Sequence, residues 1–98
     1  MYLKSHITPE GEIVAICDAE LLGMVFSEGK LHLDLKKHAN FYMGRKVSES
    51  EARKALLKAK NANIVGKKAL AAAKKAGIDV SGALLISGVP HLQAYRPL

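Results

Sequence analysis

Residues 48–77 read SESEARKALLKAKNANIVGKKALAAAKKAG, and this stretch decides the fold expected for the chain. Ser48 and Glu51 form a capping-box pattern, which predicts that a helix begins here and covers about 49–60. The Asn-rich residues 61–63 break that helix, and a second helix over about 64–76 ends at Gly77. Because the connection is short, we expect the two helices to pack as a hairpin, through the alanines on their apolar sides.

The sequence on either side of this stretch has the short apolar runs and turn residues typical of strands. Strands are expected at 2–7, 12–17, 24–26, 31–35, 83–87 and 91–96, the last of them edge-like, and residues 40–43 suit another short strand. Asp18 is expected to cap a brief helical turn at 19–22.

These elements predict one α+β domain over 1–98, with a small antiparallel or mixed sheet and the helix hairpin packed on it. Its parts are a strand-rich segment 1–47, a basic helix pair 48–77 and C-terminal strands 83–96.

Charge is distributed unevenly along the chain. Residues 1–29 hold one base and five acids, whereas residues 30–98 hold fourteen bases and four acids, and the net charge is +6. The helix stretch contains eight bases and, between Ala52 and Ile78, no acid: Arg53, Lys54, Lys58, Lys60, Lys67, Lys68, Lys74 and Lys75. Such a concentration of positive charge attracts polyanions, of which nucleic acid is the common intracellular example.

Helical geometry places the four lysines of the second helix on one side and its alanines on the other. A lysine-rich helix side is usually only solvated, but a solvated side normally mixes the two signs of charge. The absence of acids therefore favours an anionic partner, and alanines opposite the lysines favour helix packing over insertion into a membrane.

Two interpretations of the segment Asn63–Gly66 stay open. Asn63 can simply cap the second helix, or the free amides there can hold a phosphate that Gly66 allows to approach closely. In the second case Gly66→Ala should weaken RNA binding and leave stability level or slightly raised, because alanine favours a helix.

His91 is the most site-like of the four histidines. Pro90 restricts the backbone before it, and strand alternation puts His91 and Gln93 on one side of a strand, where they could recognise a base or sugar. His91 could equally satisfy a nearby carbonyl. Metal-ligand spacings and the common catalytic motifs are absent from the sequence, so we expect no catalytic residue, no metal, no cofactor and no small-molecule substrate.

Several segments together resemble a small archaeal family, domain of unknown function 424. They are Met1–Lys4, Glu12–Asp18 with Glu20–Gly23, Ala62–Gly66 with Ala69, and Gly88–His91 with Gln93. Leu92 stands where that family would have alanine, and both helices are more basic here than in its relatives. The resemblance implies a small archaeal cytoplasmic α+β protein without an established chemistry, and it adds a second candidate surface formed by Asn63, Gly66, His91 and Gln93.

Small size, basicity and few aromatic residues favour recognition of the backbone and shape of folded RNA. We therefore expect a non-enzymatic protein of the archaeal translation apparatus, ribosomal or ribosome-associated, that binds ribosomal RNA or another structured RNA, with ribosomal proteins as further partners. The chain contains no signal-peptide pattern and no membrane-spanning run, so we expect a cytoplasmic protein without a membrane partner. The alternatives are a protein-interaction or regulatory module that uses the Pro90–Gln93 surface, and an enzyme with His91 as its acid–base group.

Overall fold

The computed structural model describes residues 1–96, so the last two residues of the expected domain lie outside the described part. The strands are β1 Tyr2–Thr8, β2 Gly11–Cys17, β3 Val25–Glu28, β4 Leu31–Asp34, β5 Arg45–Lys46, β6 Asn61–Val65, β7 Leu84–Ile86 and β8 Val89–Tyr95. The helices are α1 Ala39–Tyr42, α2 Glu49–Lys58 and α3 Lys67–Lys75, with a short 3-10 turn at Ala19–Leu21. This is the expected α+β class.

Six strands form the central sheet, in the order β5-β1-β2-β6-β8-β7. The pair β2 and β6 is parallel and the other neighbours are antiparallel, so the sheet is mixed. β3 and β4 form a separate hairpin. The parallel pair requires a long connection between its strands, and that connection carries the hairpin, α1 and α2.

One face of the sheet packs against α2 and α3. Val14, Ile16, Ile64 and Leu92 meet the alanines and Leu56 of the two helices in one buried cluster. The helices contact each other, and alanines at 52, 59, 69, 72, 73 and 76 are all buried there. Small side chains bring the helices close to each other and to the sheet, so this face is closed by aliphatic packing.

The opposite face of the sheet packs against the β3–β4 hairpin and α1. Ala15, Cys17 and Val65 of the central strands lie in one buried cluster with residues of these elements and of the β7–β8 pair. The other buried members of this cluster are Leu33, Leu35, Tyr42, Ile86 and Val89. Both faces of β2 and β6 are therefore covered, which explains the continuous apolar run at the end of β2.

The expected helix hairpin is wrong, because a strand separates the two helices. Residues 61–65 form β6 between β2 and β8, and neither break a helix nor begin one. Ala62 and Ile64 pack toward the helices, whereas Asn63 and Val65 face the other side. This alternation is a strand pattern, and the asparagines hid it. The predicted capping box at Ser48 and Glu51 is present, with both of its hydrogen bonds.

Three smaller expectations also change. Residues 40–43 fall largely in α1 instead of a strand. β8 lies inside the sheet, and β7 is the edge strand next to it. Asp18 precedes the 3-10 turn but makes no side-chain capping bond to it. None of the helices described in residues 1–96 is long and apolar enough to cross a membrane.

Candidate functional site

The first candidate surface is the solvent side of α2 and α3. All eight predicted bases of this stretch are exposed, as the helical periodicity requires when the alanines face the sheet. Both helices begin close to the sheet and lie side by side on it, so their exposed sides belong to one layer of the molecule.

Acidic residues do reach this layer, which corrects the expectation of an acid-free surface. Lys68 Nζ lies 3.4 Å from a carboxylate oxygen of Glu20, and Lys75 Nζ lies 3.1 Å from one of Glu49. The remaining six bases have no ion pair within residues 1–96 and form what we call the helix face: Arg53, Lys54, Lys58, Lys60, Lys67 and Lys74. Two of the four lysines on the side of the second helix that was expected to face an anionic partner are thus paired with carboxylates.

Gly66 lies at the start of α3, but the anion held there is the protein's own. The Asp18 carboxylate accepts from the backbone N–H of Lys68 at 3.0 Å and of Ala69 at 2.7 Å. Asp18 is 3% exposed, and a Cβ on Gly66 would overlap its carboxylate. Gly66 has φ +106°, a conformation that favours glycine.

This arrangement corrects both interpretations of Asn63–Gly66. Asn63 does not cap the helix, because it lies in β6 and the N-cap residue is Gly66. The amides that a phosphate would need are taken by Asp18. Gly66 therefore permits a close contact between β2 and α3, and its position no longer supports a role in nucleic-acid binding.

The second candidate surface is a cavity of about 580 Å³ between the β3–β4 hairpin, α1 and the sheet, which we call the cleft. Its floor includes Asn63, His91 and Gln93, and its walls include Leu33, Leu35, Lys37, His38, Phe41 and Tyr42. Volumes of this size are usual for small-molecule sites.

Asn63 is the centre of the polar network in the cleft. Its Oδ1 accepts from the Tyr42 hydroxyl at 2.7 Å and lies 3.1 Å from His91 Nε2. With this oxygen as the shared acceptor, His91 carries its proton on Nε2 and neutral His91 leaves Nδ1 unprotonated. Residues 1–96 provide no hydrogen-bond partner for the Asn63 side-chain NH₂, and in the sheet Gln93 lies directly opposite Asn63.

Burial keeps the groups of this network neutral. It lowers the pKa of His91 below its ordinary value and raises the pKa of Tyr42, with a smaller contribution from nearby Cys17. Burial also raises the pKa of Cys17 to about 12, with nearby acids adding to the shift, so the thiol is a structural group and not a nucleophile at neutral pH.

Phe41 gives the cleft wall a fixed aromatic group. Its ring stacks on His6, with centroids 4.4 Å apart and planes 9° from parallel, and Tyr42 meets it edge-on. His6 Nε2 also lies 2.8 Å from the Phe41 carbonyl oxygen. α1 is therefore anchored to β1, which holds the wall of the cleft in place.

The structure divides the predicted site residues between two sides of the sheet. It brings Asn63, His91 and Gln93 together at the cleft, as the predicted second surface requires, and leaves Gly66 outside it. The bases lie on the other side. Tyr42 and Phe41 are not among the predicted site residues, because residues 40–43 suit a strand in the sequence and the partners of both side chains, Asn63 and His6, are distant in the chain.

The Pro90–Gln93 segment offers little surface for protein docking. Pro90 and Leu92 are buried, so His91 and Gln93 alone of these four face outward, and they do so into the cleft. In the described part of the chain, no three His, Cys, Asp or Glu side chains are grouped so as to hold a metal ion.

Comparisons with known proteins identify a family and a fold. The model of the family described as protein of unknown function (DUF424) matches residues 5–96. A crystal structure of an uncharacterized conserved protein from Methanopyrus kandleri superposes with a TM-score of 0.82. The two chains are 24% identical, and the match covers 99% of this chain and 93% of the other. No curated protein matches the sequence.

Proposed function

This chain belongs to the DUF424 family, and we propose that it binds the backbone of structured RNA through the helix face. The observation that supports the proposal is that six exposed bases, five on two adjacent helices and Lys60 just after α2, lack an acidic partner within residues 1–96. Lysines without nearby aromatic side chains suit phosphate contacts better than the stacking of unpaired bases.

Several basic side chains outside the helix face already interact with other groups of the protein. Arg45 pairs with Glu51 at 3.2 Å, Lys46 lies over the Tyr2 ring, and Lys4 donates to a backbone carbonyl. The helix face is therefore the largest group of bases that keeps its charge available for a partner.

The biological setting that we propose is the archaeal translation apparatus, with the protein ribosomal or ribosome-associated and bound to ribosomal RNA. A small basic domain with a rigid, alanine-packed helix layer suits permanent or transient docking on a folded RNA surface. Such a protein should sediment with purified archaeal ribosomal subunits at moderate salt, and this co-sedimentation should be lost when the helix face is neutralised.

The sharpest test compares two pairs of lysines on the same helix. Lys67→Gln with Lys74→Gln removes two unpaired charges, and Lys68→Gln with Lys75→Gln removes the same net charge from the two paired positions. If all six helix-face bases contact phosphates of a short RNA duplex, log affinity should fall with log salt with a slope of about −5. The first double variant should lower that slope by roughly 1.8, and the second should lower it less.

A salt slope that the first double variant leaves unchanged would show that Lys67 and Lys74 do not contact phosphates, and the helix-face proposal would fail. Equal reductions in both variants would show that Lys68 and Lys75 leave their weak surface ion pairs and contact RNA as well. Far-ultraviolet circular dichroism of both variants checks that the helices are retained, which is expected because all four lysines are exposed.

A further inference from the structure

The Asn63 side chain can offer a ligand in the cleft only its NH₂ group, which is a hydrogen-bond donor. Both Tyr42 and His91 use its Oδ1, so the oxygen that an asparagine would normally contribute to bidentate recognition is occupied. The side-chain NH₂ has no hydrogen-bond partner in residues 1–96, and Asn63 is only partly exposed. By contrast, every fully buried side-chain polar atom described in these residues has a hydrogen-bond partner. A ligand at this position must therefore present an acceptor to Asn63.

The residues next to Asn63 in the cleft can accept hydrogen bonds from a ligand. His91 lines the same cleft and keeps an unprotonated Nδ1, which is an acceptor, when Nε2 donates to Asn63. Gln93 lies opposite Asn63 across the β6–β8 pair and is exposed, so its amide can donate or accept. The floor thus combines a fixed donor, an acceptor and an adaptable amide within two strand positions.

The walls favour a flat and partly apolar ligand. The half-buried Phe41 contributes apolar surface, the buried Leu33 and Leu35 pack behind the wall, and Lys37 contributes a positive charge. Asp34 also lines the cleft: its Oδ1 accepts from the backbone N–H groups of Lys36 and Lys37 at 3.1 and 2.8 Å, and its Oδ2 can accept from an N–H of the ligand. A planar ring with carbonyl and N–H groups on one edge, joined to an anionic group, meets all of these conditions.

We propose that the cleft binds one unstacked nucleobase by a carbonyl-bearing edge, as uracil and guanine present it, with the carbonyl oxygen on the Asn63 NH₂ and the ring N–H on His91. Adenine carries its acceptor on a ring nitrogen and its donor on the exocyclic amino group, the reverse of uracil and guanine, so its ring cannot take the same position against Asn63 and His91. The proposal concerns the side of the sheet opposite the helix face and does not depend on RNA binding there.

The base could belong to a free nucleotide or to an unpaired position in RNA, and nuclear magnetic resonance separates these sources. Wild-type protein is titrated with UMP, with AMP and with single-stranded oligouridine while the side-chain amide signals of Asn63 and Gln93 are followed. UMP should shift both signals and bind at least about fivefold more tightly than AMP, as expected for a good hydrogen-bonded base contact. Shifts with oligouridine alone would assign the site to a base within RNA.

A matched pair of variants tests the role of Asn63. Asn63→Asp keeps an oxygen for Tyr42 and His91 but removes the donor, and it should weaken binding at least about fivefold. Asn61→Asp is the control, because it makes the same change on the same side of β6 outside the cleft and should bind as wild type. If one variant does not fold, the titration of the wild-type protein with UMP, AMP and oligouridine still tests the proposal.

The proposal fails if neither UMP nor oligouridine shifts the Asn63 signal, or if AMP shifts it as strongly as UMP. Oligouridine that shifts only signals of α2 and α3 would also overturn it, and that result would leave the helix-face proposal intact. Cleft shifts without any response of α2 and α3 would support the cleft and leave the helix face, which is proposed for structured RNA, to its own salt-dependence test.

Discussion

On the side covered by α2 and α3, the sheet buries aliphatic side chains such as Val14, Ile16 and Ile64, whereas on the side of the cleft it presents Asn63, His91 and Gln93. The first side carries its polar groups only on the outer surface of the helices. The second side brings polar groups into a recess between secondary-structure elements. One side is thus suited to contact an extended charged surface and the other to enclose a small group.

This difference limits what the two surfaces can do together. The domain measures 35 × 28 × 26 Å, and the sheet separates the helix face from the cleft. A rigid duplex that lies on the helices cannot place one of its own bases in the cleft without passing around an edge of the sheet. The basic surface and the second candidate surface predicted from the sequence therefore lie on separate sides of the sheet.

The largest expected effect is on the anchor between the sheet and the helix layer. Gly66→Ala should lower the free energy of unfolding by roughly 3 kcal/mol or more, because the new Cβ overlaps the Asp18 carboxylate and the backbone there favours glycine. Urea denaturation measures the change. If Gly66→Ala is as stable as wild type, as the helix propensity of alanine alone would predict, Gly66 is not required for the close contact with Asp18.

Gly77→Ala is the matched control for that variant. Gly77 also has a positive φ, +86°, but a Cβ there meets nothing within 4 Å. Gly77→Ala should lower the free energy of unfolding by only about 1 kcal/mol, the cost of placing alanine in this backbone conformation. Combining Gly66→Ala with Asp18→Ala should make the glycine change less costly than it is alone, since the overlap with the carboxylate is removed and only the 2.7 Å approach to the Cβ of residue 18 remains.

The second prediction concerns the cap that joins β2 to α3. Asp18→Ala should cost about 2 kcal/mol, because the amides of Lys68 and Ala69 lose their acceptor and one of them is buried. Asp34→Ala is the control, since that carboxylate also accepts from two backbone amides but lies where water can replace it. Equal losses of stability in urea denaturation would show that burial does not decide the strength of this cap.

Local patterns predicted part of this fold, and contacts between distant residues account for what they missed. The capping box at Ser48 joins residues three apart, so the sequence displays it directly. Asn63 looked like a helix breaker because its partners, Tyr42 and His91, lie 21 and 28 residues away. With those partners, an asparagine is stable inside a covered strand.

Contacts between distant residues also determine the partner of Lys68 and the shape of the cleft. The partner of Lys68 is Glu20, which the charge count placed in a separate acidic segment of the chain. His91 and Gln93 were correctly placed on one side of a strand by alternation. The cavity above them depends on how the β3–β4 hairpin and α1 return to the sheet, and single-sequence patterns do not contain that information.

The smallest expected effect is a pH dependence that belongs to the cleft side alone. Burial depresses the pKa of His91 in the folded protein below the ordinary value of 6.5, so the unfolded chain takes up a proton at higher pH than the folded chain does. The free energy of unfolding should therefore fall as the pH drops from 7 through 6.5, and level off below the folded pKa. Charged and titratable groups that share the cleft with His91 are His32, Asp34, Lys37, His38 and Tyr42.

His91→Gln isolates this contribution, because glutamine keeps hydrogen-bonding capacity but does not titrate. Urea denaturation across this pH range should show a shallower acid-induced loss of stability for His91→Gln than for wild type. The matched control is His38→Gln, an exposed histidine of the same cleft, in which the loss that His91 causes should persist. If His91→Gln follows the wild-type curve, protonation of His91 does not oppose folding, and the cleft floor is as open to water as the outer surface of the helices. The contrast between an enclosed polar side and a solvated charged side of the sheet would then be lost.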